Sequence, residues 1–397
     1  MIFREKILTA LENSVGQFVL YQRELNEQIA TYRAALENLV GMNKETITEL
    51  LAETNRPSGA IPTEEFYSAE SMVLAFEKSF ANREEAREWA YVTLLNHTTF
   101  AADGSQLMPT KDFSIPLAAV QTGWFENPHR TEGTYIKDTT FEILSPDEVM
   151  VRTAGDIEAS FQAVQQRRYA LEIEAIKKFM TKTLESGFDA TQPPVVFFDN
   201  LLVISFAELL PESQRDFYVN EIIALLDKSK ETGIPVIGYI DTSMARDLVN
   251  LLITIFPDLN ESPKLQDAAL LTRQMKWGDR TPLFRCARAG ILEQYGETWR
   301  RDLGFVYLKT TADAPPSRID VPMWVYEKGL LEYVLNIIRG EVIVGNGYPY
   351  VIEAADATAV ITQQDRERFY AIFQEFAERN GFQFTRARKA ISKSQRR

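Results

Sequence analysis

Two aspartates interrupt apolar, strand-like runs of this chain. Asp103 lies in Thr-Thr-Phe-Ala-Ala-Asp-Gly-Ser-Gln (98–106), and Asp199 lies in Pro-Val-Val-Phe-Phe-Asp-Asn-Leu-Leu-Val-Ile-Ser-Phe (194–206). A carboxylate in such a run is costly unless a cation or hydrogen bonds compensate its charge. Because the chain has only 2 histidines and 1 cysteine, a metal site in it would consist mainly of oxygen ligands, not of nitrogen or sulfur ligands. The pattern predicts a hard divalent cation held by carboxylates.

A glutamate on a neighbouring helix is the next candidate ligand. Helical periodicity predicts a helix over 156–186, which contains several glutamates. Glu172 shares a helix face with Ile176, on the apolar side. Glu174 instead has Lys177 one turn on, the arrangement of a solvated surface pair. We therefore predict Glu172 as the metal carboxylate, with Glu174 as the alternative.

The last part of the chain supplies a fourth acid and a tyrosine. Asp356 lies among small residues in Glu-Ala-Ala-Asp-Ala-Thr-Ala-Val, which allow close packing near a site. A helix N-cap or a surface acid is an equally good interpretation of Asp356, and Glu353 and Asp365 compete for the role. Tyr348, in a turn with Pro349, is a candidate for positioning a phosphate. Ordinary turn packing explains Tyr348 at least as well.

Clustered carboxylates of this kind suit phosphodiester hydrolysis. Two divalent ions roughly 4 Å apart activate the attacking water and neutralise charge on the leaving oxygen. Several acids on separate rigid elements are needed to hold them. We therefore predict Asp103, Glu172, Asp199 and Asp356 as the ligands of Mn²⁺ or Mg²⁺, with two ions expected.

The predicted elements follow the order of an RNase H-like α/β fold. Three β-rich runs joined by short polar turns predict an antiparallel meander. The helix 156–186 and an alternation of strand, helix and strand then favour parallel pairing. The expected result is a mixed sheet flanked by helices, with an N-terminal helical region and an inserted middle segment. The predicted strands are Thr98–Ala102, Ile115–Phe125, Tyr135–Leu144, 194–206 and Ile234–Ile240, with a helix at 211–231 before the last strand.

The chain divides into three predicted parts: an N-terminal helical region (1–94), the metal-dependent domain (95–385) and a basic C-terminal tail (386–397). Apolar residues at helical spacing predict one or two amphipathic helices over residues 1–52 and a further helical stretch over 64–95. A dimerisation or partner-docking arm and packing onto the main domain explain these helices equally well.

The remaining predicted elements lie in the middle segment, at about 242–340, and in a helix near the end of the chain. We expect a helix at 243–256, strands near Phe305–Thr310 and Met323–Tyr326, and a final helix at 363–380.

Composition excludes several classes of protein. The net charge is −13, which argues against a broad nucleic-acid-binding surface. The tail from Arg386 onward carries only basic charges, so the rest of the chain is more acidic still. A single cysteine, Cys286, excludes an internal disulfide framework, and His97 and His129 are interpreted as structural or exposed. The start lacks the apolar core of a signal peptide and no run is long enough to span a membrane, so a cytoplasmic protein is expected.

Three motifs in order resemble the NurA family: Ala-Ala-Asp-Gly-Ser-Gln, Val-Val-Phe-Phe-Asp-Asn-Leu-Leu and Gly-Tyr-Pro-Tyr-Val-Ile-Glu-Ala-Ala-Asp. The resemblance covers roughly residues 95–370. It implies an RNase H-like, manganese-dependent DNA nuclease that acts on single strands and 5′ ends. It also implies a homodimer that works beside a HerA-like hexameric translocase in DNA end resection and double-strand break repair.

The same resemblance assigns roles by motif. Asp103 and Asp199 match the metal aspartates of the family, Glu172 matches its helix glutamate, and Tyr348 matches the tyrosine of the closing motif. The chain departs from the pattern in having Asp356 where a histidine is expected and Asn200 where a glycine commonly follows the second aspartate.

Two other functions remain open. One is an inactive RNase H-like interaction module that docks a DNA translocase, favoured by the acidic charge and by Asp356. The other is a metal-dependent enzyme acting on a different phosphate ester. If DNA is the substrate, a local basic groove is expected, with Arg167, Arg168, Arg366 and Arg368 as its candidates.

Overall fold

The computed structural model describes residues 3–54, 56–110, 112–153 and 156–385. The predicted basic tail, 386–397, lies outside these residues. The strands are β1 Gly59–Pro62, β2 Thr99–Leu107, β3 Ala118–Asn127, β4 Ile136–Leu144, β5 Met150–Thr153, β6 Asp156–Ala159, β7 Val195–Phe198, β8 Val236–Ile240, β9 Phe284–Ala287, β10 Leu303–Leu308 and β11 Ser317–Pro322.

The α-helices are α1 Arg4–Val40, α2 Lys44–Glu53, α3 Glu64–Ser68, α4 Arg83–Leu94, α5 Pro146–Val149, α6 Phe161–Ser186, α7 Glu212–Thr232, α8 Asp247–Ile255, α9 Asp267–Leu271, α10 Gly296–Trp299, α11 Met323–Glu327, α12 Leu331–Val344, α13 Tyr350–Ala359 and α14 Gln363–Arg379. Two short 3₁₀ segments lie at Ser205–Leu209 and Gly290–Gln294.

The described residues form two compact units, each built from two stretches of chain. The first unit comprises Met1–Ser79 with Tyr239–Met323. The second comprises Phe80–Gly238 with the described residues from Trp324 onward. The predicted boundaries at residues 94 and 385 stay predictions.

The second unit contains a five-stranded mixed sheet in the order β8-β7-β2-β3-β4. Strands β2, β3 and β4 form the predicted antiparallel meander, with Asp103 opposite Gly123 and Thr122 opposite Thr140. Strand β7 pairs parallel with β2, and β8 pairs parallel with β7. Three antiparallel strands followed by two parallel ones give the strand order of the predicted RNase H-like fold, which is confirmed.

Helices cover both faces of this sheet. Helix α6 contacts β2 and β3, and α13 contacts the same two strands. Two glycines allow the helices to approach this closely, since any side chain there would clash. A Cβ atom on Gly104 would lie 2.4 Å from Oε1 of Glu172 in α6. A Cβ atom on Gly123 would lie 2.4 Å from the backbone nitrogen of Ala359 in α13. Because neighbouring side chains of a strand alternate between faces, Asp103 points away from the face that Gly104 opens to α6.

The first unit has a four-stranded antiparallel sheet, β1-β9-β10-β11. Its interior holds an ion network: Arg288 donates two hydrogen bonds of 2.6 Å to Asp247, and Arg318 donates to both Asp247 and Asp320. Burial disfavours the charge on Asp247, but Arg318 and Arg288 outweigh it and lower the pKa of this carboxyl. Charges buried in this way stabilise a fold only as a fully paired set.

Helix α1 is buried only at its C-terminal end. Tyr32, Ala35, Leu36 and Leu39 are buried, and the Tyr32 hydroxyl donates to the carbonyl of Asn260 at 2.7 Å. The first half of the helix, which carries the apolar residues noted in the sequence, is exposed.

Several predicted elements differ from the observed ones. The strand predicted over 194–206 ends at Phe198, where the backbone turns and Asn200 donates to the Phe198 carbonyl at 2.8 Å. The helix predicted from residue 156 begins at Phe161, because the Ser160 hydroxyl caps it by accepting from the Ala163 nitrogen at 3.1 Å. The predicted helical stretch 64–95 is two separate helices, α3 and α4.

The strand predicted at Met323–Tyr326 is wrong, since these residues are helical in α11. A short apolar run fits a strand and a buried helical turn equally well. No helix in the described part of the chain is long and apolar enough to cross a membrane.

We predict that Gly123→Ala lowers the free energy of unfolding by about 1–3 kcal/mol, the usual cost of an overpacked site. The added methyl group would clash with the backbone of Thr358 and Ala359 and push α13 off the sheet. Chemical denaturation measures the loss. Gly16→Ala, where nothing lies within 4 Å, is the control and should be neutral or stabilising; equal values for both variants would contradict the close approach.

Candidate active site

Two of the predicted acids are neighbours in the structure. The side chain of Asp356, on α13, lies close enough to Asp103, on β2, to raise the pKa of its carboxyl group. Burial is the largest cause; the backbone hydrogen bond to Gly104 opposes it, and Asp356 adds to it, so that the pKa of Asp103 is raised to about 6. Without a cation, therefore, Asp103 loses its proton at a higher pH than an isolated aspartate does.

Glu172 lies on the α6 side of the same strand. Its side chain is 9% exposed and accepts a hydrogen bond of 2.6 Å from Arg168, one turn earlier in α6. Arg168 also donates to the carbonyl of Gly104 at 3.2 Å, which ties α6 to β2 beside Asp103. Burial raises the pKa of Glu172 to about 8; Arg168 opposes the rise, and the charges of Asp103 and Asp199 add to it.

The alternative glutamate, Glu174, faces outward. It accepts a bond of 2.7 Å from Arg167, which is also bound by Glu142 of β4. These three side chains form a half-exposed ion-pair cluster. Glu174 therefore belongs to this cluster, whereas Glu172 lies buried within electrostatic reach of Asp103 and Asp199. The role of Glu172 as metal ligand stays a prediction.

Asp199 follows the last residue of β7 and is exposed. The hydroxyl of Tyr348 donates to its Oδ1 at 2.6 Å. Tyr348 precedes α13, the helix that carries Asp356, so one segment of chain contributes to both aspartates. This contact was not part of the sequence prediction, which assigned Tyr348 to a phosphate.

The four acids thus lie in one region of the second unit. Within residues 3–54, 56–110, 112–153 and 156–385, no three acidic, histidine or cysteine side chains stand close enough to hold one ion. The donor set itself fits a hard divalent cation, because it consists of carboxylate oxygens. The raised pKa values of Asp103 and Glu172 point the same way, since a cation would relieve the cost of ionising both groups.

Sequence reasoning missed Glu341, a buried acid on α12. Its Oε1 accepts from the Thr99 hydroxyl at 2.8 Å and lies 3.2 Å from Nε2 of His129. Its Oε2 accepts from the backbone nitrogen of Val351 at 2.9 Å. Thr99 begins β2 and Val351 lies in the first turn of α13, so one carboxylate joins the elements that carry Asp103 and Asp356. An acid inside the apolar run Gly-Glu-Val-Ile-Val was the available signal.

The other end of α13 is fixed to the same strands. The Ser105 hydroxyl accepts from the Ile361 nitrogen at 3.3 Å, and the Gln121 amide donates to the Ala359 carbonyl at 2.9 Å. With the Glu341 contact at its start, α13 is held at both ends against β2 and β3. Asp356 lies between these two attachments, which sets its position relative to Asp103.

The comparison with protein families agrees with this geometry. The NurA domain model matches residues 97–361, which is most of the chain and includes the four acids and Tyr348. The chain belongs to the NurA family. The resemblance stated from the three sequence motifs is therefore confirmed.

Solved structures offer distant matches to this NurA family member. A NurA crystal structure with manganese matches at 10% identity and a TM-score of 0.41, covering 91% of this chain and 98% of the other. NurA bound to dAMP and manganese matches at 11% identity and a TM-score of 0.35, covering 68% and 86%. The catalytic domain of human endonuclease V matches at 14% identity and a TM-score of 0.32, covering 83% and 95%. No curated protein matches the chain.

We predict that the metal-free protein loses stability as the pH rises, because of Glu172. Its pKa rises from 4.5 to about 8 on folding, so the folded state keeps a proton that the unfolded chain releases. The stabilisation is complete below about pH 4.5 and is lost as the pH approaches 8, at about 1.4 kcal/mol per pKa unit. Asp103 acts in the same direction between 3.8 and about 6.

Glu172→Gln keeps a neutral side chain of the same shape, so at pH 8 in chelator this variant should unfold at a higher denaturant concentration than the wild type. At pH 5 the difference should be small. The exposed Glu174→Gln is the matched control and should differ from the wild type equally at both pH values. A wild-type advantage that grows between pH 5 and pH 8 would contradict the raised pKa of Glu172.

We also predict that Glu341→Leu destabilises the second unit and uncouples Asp103 from Asp356. The change leaves the Thr99 hydroxyl and the Val351 N–H buried without their acceptor, at a cost of about 1–3 kcal/mol for each group. A double-mutant cycle with Asp103→Asn and Asp356→Asn measures the coupling by denaturation, and it should fall in the Glu341→Leu background.

Glu341→Gln keeps an acceptor for Val351 and should preserve most of the coupling, while Thr99→Val removes one bond and should have a smaller effect. Undiminished coupling in Glu341→Leu would show that α13 is positioned without this carboxylate.

Proposed function

We propose that this chain is a metal-dependent deoxyribonuclease that hydrolyses phosphodiester bonds. The single observation that carries the proposal is the proximity of Asp103 and Asp356, which are brought together from β2 and from α13, the helix attached to that strand. Two carboxyl groups held that close repel each other when ionised, and a cation-binding site is the function such an arrangement serves best. Membership of the NurA family supports the same function.

Asp103, Asp199, Glu172 and Asp356 are the proposed ligands of Mn²⁺ or Mg²⁺, two ions being expected. When bound, such ions act as Lewis acids on the phosphate and lower the pKa of a bound water. The residues of the chain contribute the rest. Burial and the neighbouring Asp356 favour the protonated form of Asp103 until a cation binds, and Arg168 donates to Glu172.

Tyr348 is proposed as a positioning group for Asp199. Its hydroxyl donates to Oδ1 of Asp199 at 2.6 Å. Because Asp199 is exposed, this hydrogen bond restricts the rotation of its side chain. The role of Tyr348 in catalysis is therefore indirect in this proposal.

DNA is the proposed substrate, cleaved as a single-strand endonuclease and as a 5′-to-3′ exonuclease in DNA end resection and double-strand break repair. A related crystal structure is described as NurA bound to dAMP and manganese. The proposed partners are a HerA-like hexameric translocase and a second copy of this chain, and the proposed location is the cytoplasm. These assignments extend the family resemblance.

Of the four arginines predicted to contact DNA, two are engaged within the protein. Arg167 is bound by Glu142 and Glu174, and Arg168 is bound by Glu172. Arg366 and Arg368 lie on α14, which follows α13. With a net charge of −13, the isolated protein should depend on a few such local cations for binding phosphate, so its affinity for DNA should fall steeply with salt.

The alternative is an inactive RNase H-like module that docks a translocase. It is favoured by the finding that no three potential ligands among the described residues stand within reach of one ion. This alternative predicts that manganese does not bind in calorimetry and that no DNA is cleaved, with or without a partner. A different phosphate ester as substrate is tested by comparing labelled DNA with phosphomonoesters and nucleotide sugars.

We predict that Asp103→Asn and Asp199→Asn each lower the rate of manganese-dependent cleavage of single-stranded DNA by about a thousandfold or more. Each change removes a negative charge that the bound ions need. Gel assays with labelled strands measure cleavage, and circular dichroism checks the fold. Asp138→Asn is the matched control and should retain full activity, because Asp138 is an exposed aspartate on β4 that accepts a hydrogen bond from the backbone nitrogen of Thr139. Wild-type-like cleavage by both site variants would rule out these aspartates as metal ligands.

A further inference from the structure

The two histidines of the chain lie next to each other, beside the start of β2. His97 precedes that strand, and His129 follows the end of β3. The Nδ1 atom of His129 lies 2.6 Å from the carbonyl oxygen of His97. Its Nε2 atom lies 3.2 Å from Oε1 of Glu341. Both ring nitrogens of His129 therefore face oxygen atoms.

The chemistry of these two oxygens determines where the ring needs protons. A carbonyl oxygen can only accept, so Nδ1 of His129 carries a hydrogen atom. In a neutral imidazole, Nε2 would then be a bare acceptor facing a carboxylate oxygen, which is also an acceptor. A ring that carries both protons donates to His97 and to Glu341 instead. The surroundings of His129 thus match the imidazolium form.

Glu341 needs a positive charge beside it, because it is only 1% exposed. A buried carboxylate without a counter-ion is strongly destabilising. The Thr99 hydroxyl and the Val351 N–H donate to it, but both are neutral groups. Among the residues that the structure describes, His129 is the basic side chain that pairs with this carboxylate.

The backbone at His129 is strained, and the strain is explained by the ring. The φ angle is +45°, in the left-handed region that residues with a Cβ atom rarely adopt. Two hydrogen bonds of 3.0 Å hold it there: the N–H of His129 donates to the Asn127 side chain, and its carbonyl accepts from the N–H of Asn96. Glycine or asparagine suits this backbone better. The contacts of the imidazole, and not the turn, therefore account for a histidine at this position.

The neighbouring His97 is the neutral member of the pair. The Tyr333 hydroxyl donates to the carbonyl of Pro193 at 2.9 Å and lies 3.2 Å from Nδ1 of His97. Burial, and then the positive charge of His129, lower the pKa of His97. In the described structure, His97 and Glu341 are the titratable groups that face the ring of His129. One histidine thus carries the charge, and the other stays neutral beside it.

We propose that His129 is a positioning residue of the active site, whose imidazolium acts through Glu341. The carboxylate of Glu341 accepts from the first turn of α13, so the ion pair fixes the start of the helix that carries Asp356. Tyr348, which donates to Asp199, directly precedes the same helix. An ion pair outside the candidate site thereby sets the placement of two of its acids. The inference rests on the proposed function, but the ion pair can be tested without metal or DNA.

Nitrogen NMR of the full-length protein with labelled histidine tests the protonation. Because the chain has 2 histidines, the ring signals form two sets, and His97→Gln identifies the set of His129. At pH 6 without metal, both nitrogens of His129 should be protonated, and His97 should have one bare nitrogen. In Glu341→Gln, His129 should lose its second proton about one pH unit earlier than in the wild type, because its counter-charge is gone. A bare Nε2 at pH 6, or equal titration in both proteins, would overturn the ion pair.

Chemical denaturation separates the role of the ring from the role of the turn. His129→Asn keeps a residue that tolerates the left-handed conformation, but its side chain is too short to reach Glu341. It should raise the equilibrium constant of unfolding by on the order of a hundredfold, since the buried carboxylate loses its counter-ion. In a Glu341→Gln background the same change should have an effect of less than about tenfold. Equal effects in both backgrounds, or a more stable His129→Asn, would mean that the residue serves only the turn.

Manganese binding and turnover test the link to the candidate site. In calorimetry, His129→Asn should bind manganese about tenfold more weakly, because Asp199 and Asp356 are less precisely placed. In DNA cleavage it should lower kcat with little change in KM. Asn96→Gly is the matched control: it changes an exposed residue of the same junction that also has a positive φ, +65°, and should bind and cleave like the wild type. Wild-type affinity and kcat in His129→Asn would overturn the positioning role.

A metal-free measurement keeps this role testable if the chain is not a nuclease. The coupling between Asp103 and Asp356, measured by the double-mutant cycle described for Glu341, should fall in His129→Asn and persist in Asn96→Gly. Undiminished coupling in His129→Asn would overturn the proposal. A wild type that binds no manganese but shows the expected loss of coupling would reject the proposed function and leave the role of His129 in positioning these acids intact.

Discussion

Mutual repulsion between carboxyl groups is the constraint on which the candidate site depends. Asp103 and Asp356 are neighbours, and Glu172 is buried nearby, where the charges of Asp103 and Asp199 act on it. Carboxylates this close repel one another unless a proton, a hydrogen-bond donor or a cation offsets each charge. In the described structure burial favours the protonated form of Asp103, and the guanidinium of Arg168 donates to Glu172. Exchanging this proton and this donor for metal ions is the change that the proposed chemistry requires.

The scaffold opposes this repulsion by fixing the backbone. Two glycines let helices approach β2 and β3 from opposite faces, and a buried carboxylate, Glu341, joins the beginning of β2 to the beginning of α13. Because α13 is attached at both ends, Asp356 cannot move away from Asp103 without breaking several hydrogen bonds. Rigidity is thus provided by groups that do not touch the reacting atoms, as preorganised sites generally require.

The sequence was sufficient for the parts that local periodicity controls. It predicted the meander, the long glutamate helix and the parallel strands, and it singled out Asp103 because a charge interrupts an apolar run. It could not predict the role of Glu341, because its hydrogen-bond partner Thr99 lies 242 residues away in the sequence. It also overextended the strand before Asp199 and mistook the helical turn at Met323 for a strand, since short apolar runs carry no distinguishing period. Contacts between distant segments decided each of these cases.

Both units are assembled from segments that are far apart in the chain. The first unit needs its opening 79 residues and the stretch Tyr239–Met323. At a synthesis rate of about 5–20 residues per second, the opening segment emerges roughly ten to fifty seconds before its complement. During this interval the apolar side of α1 has nothing of its own unit to pack against. A nascent chain of this kind is a natural client for ribosome-associated chaperones, and its yield on expression should respond to their supply.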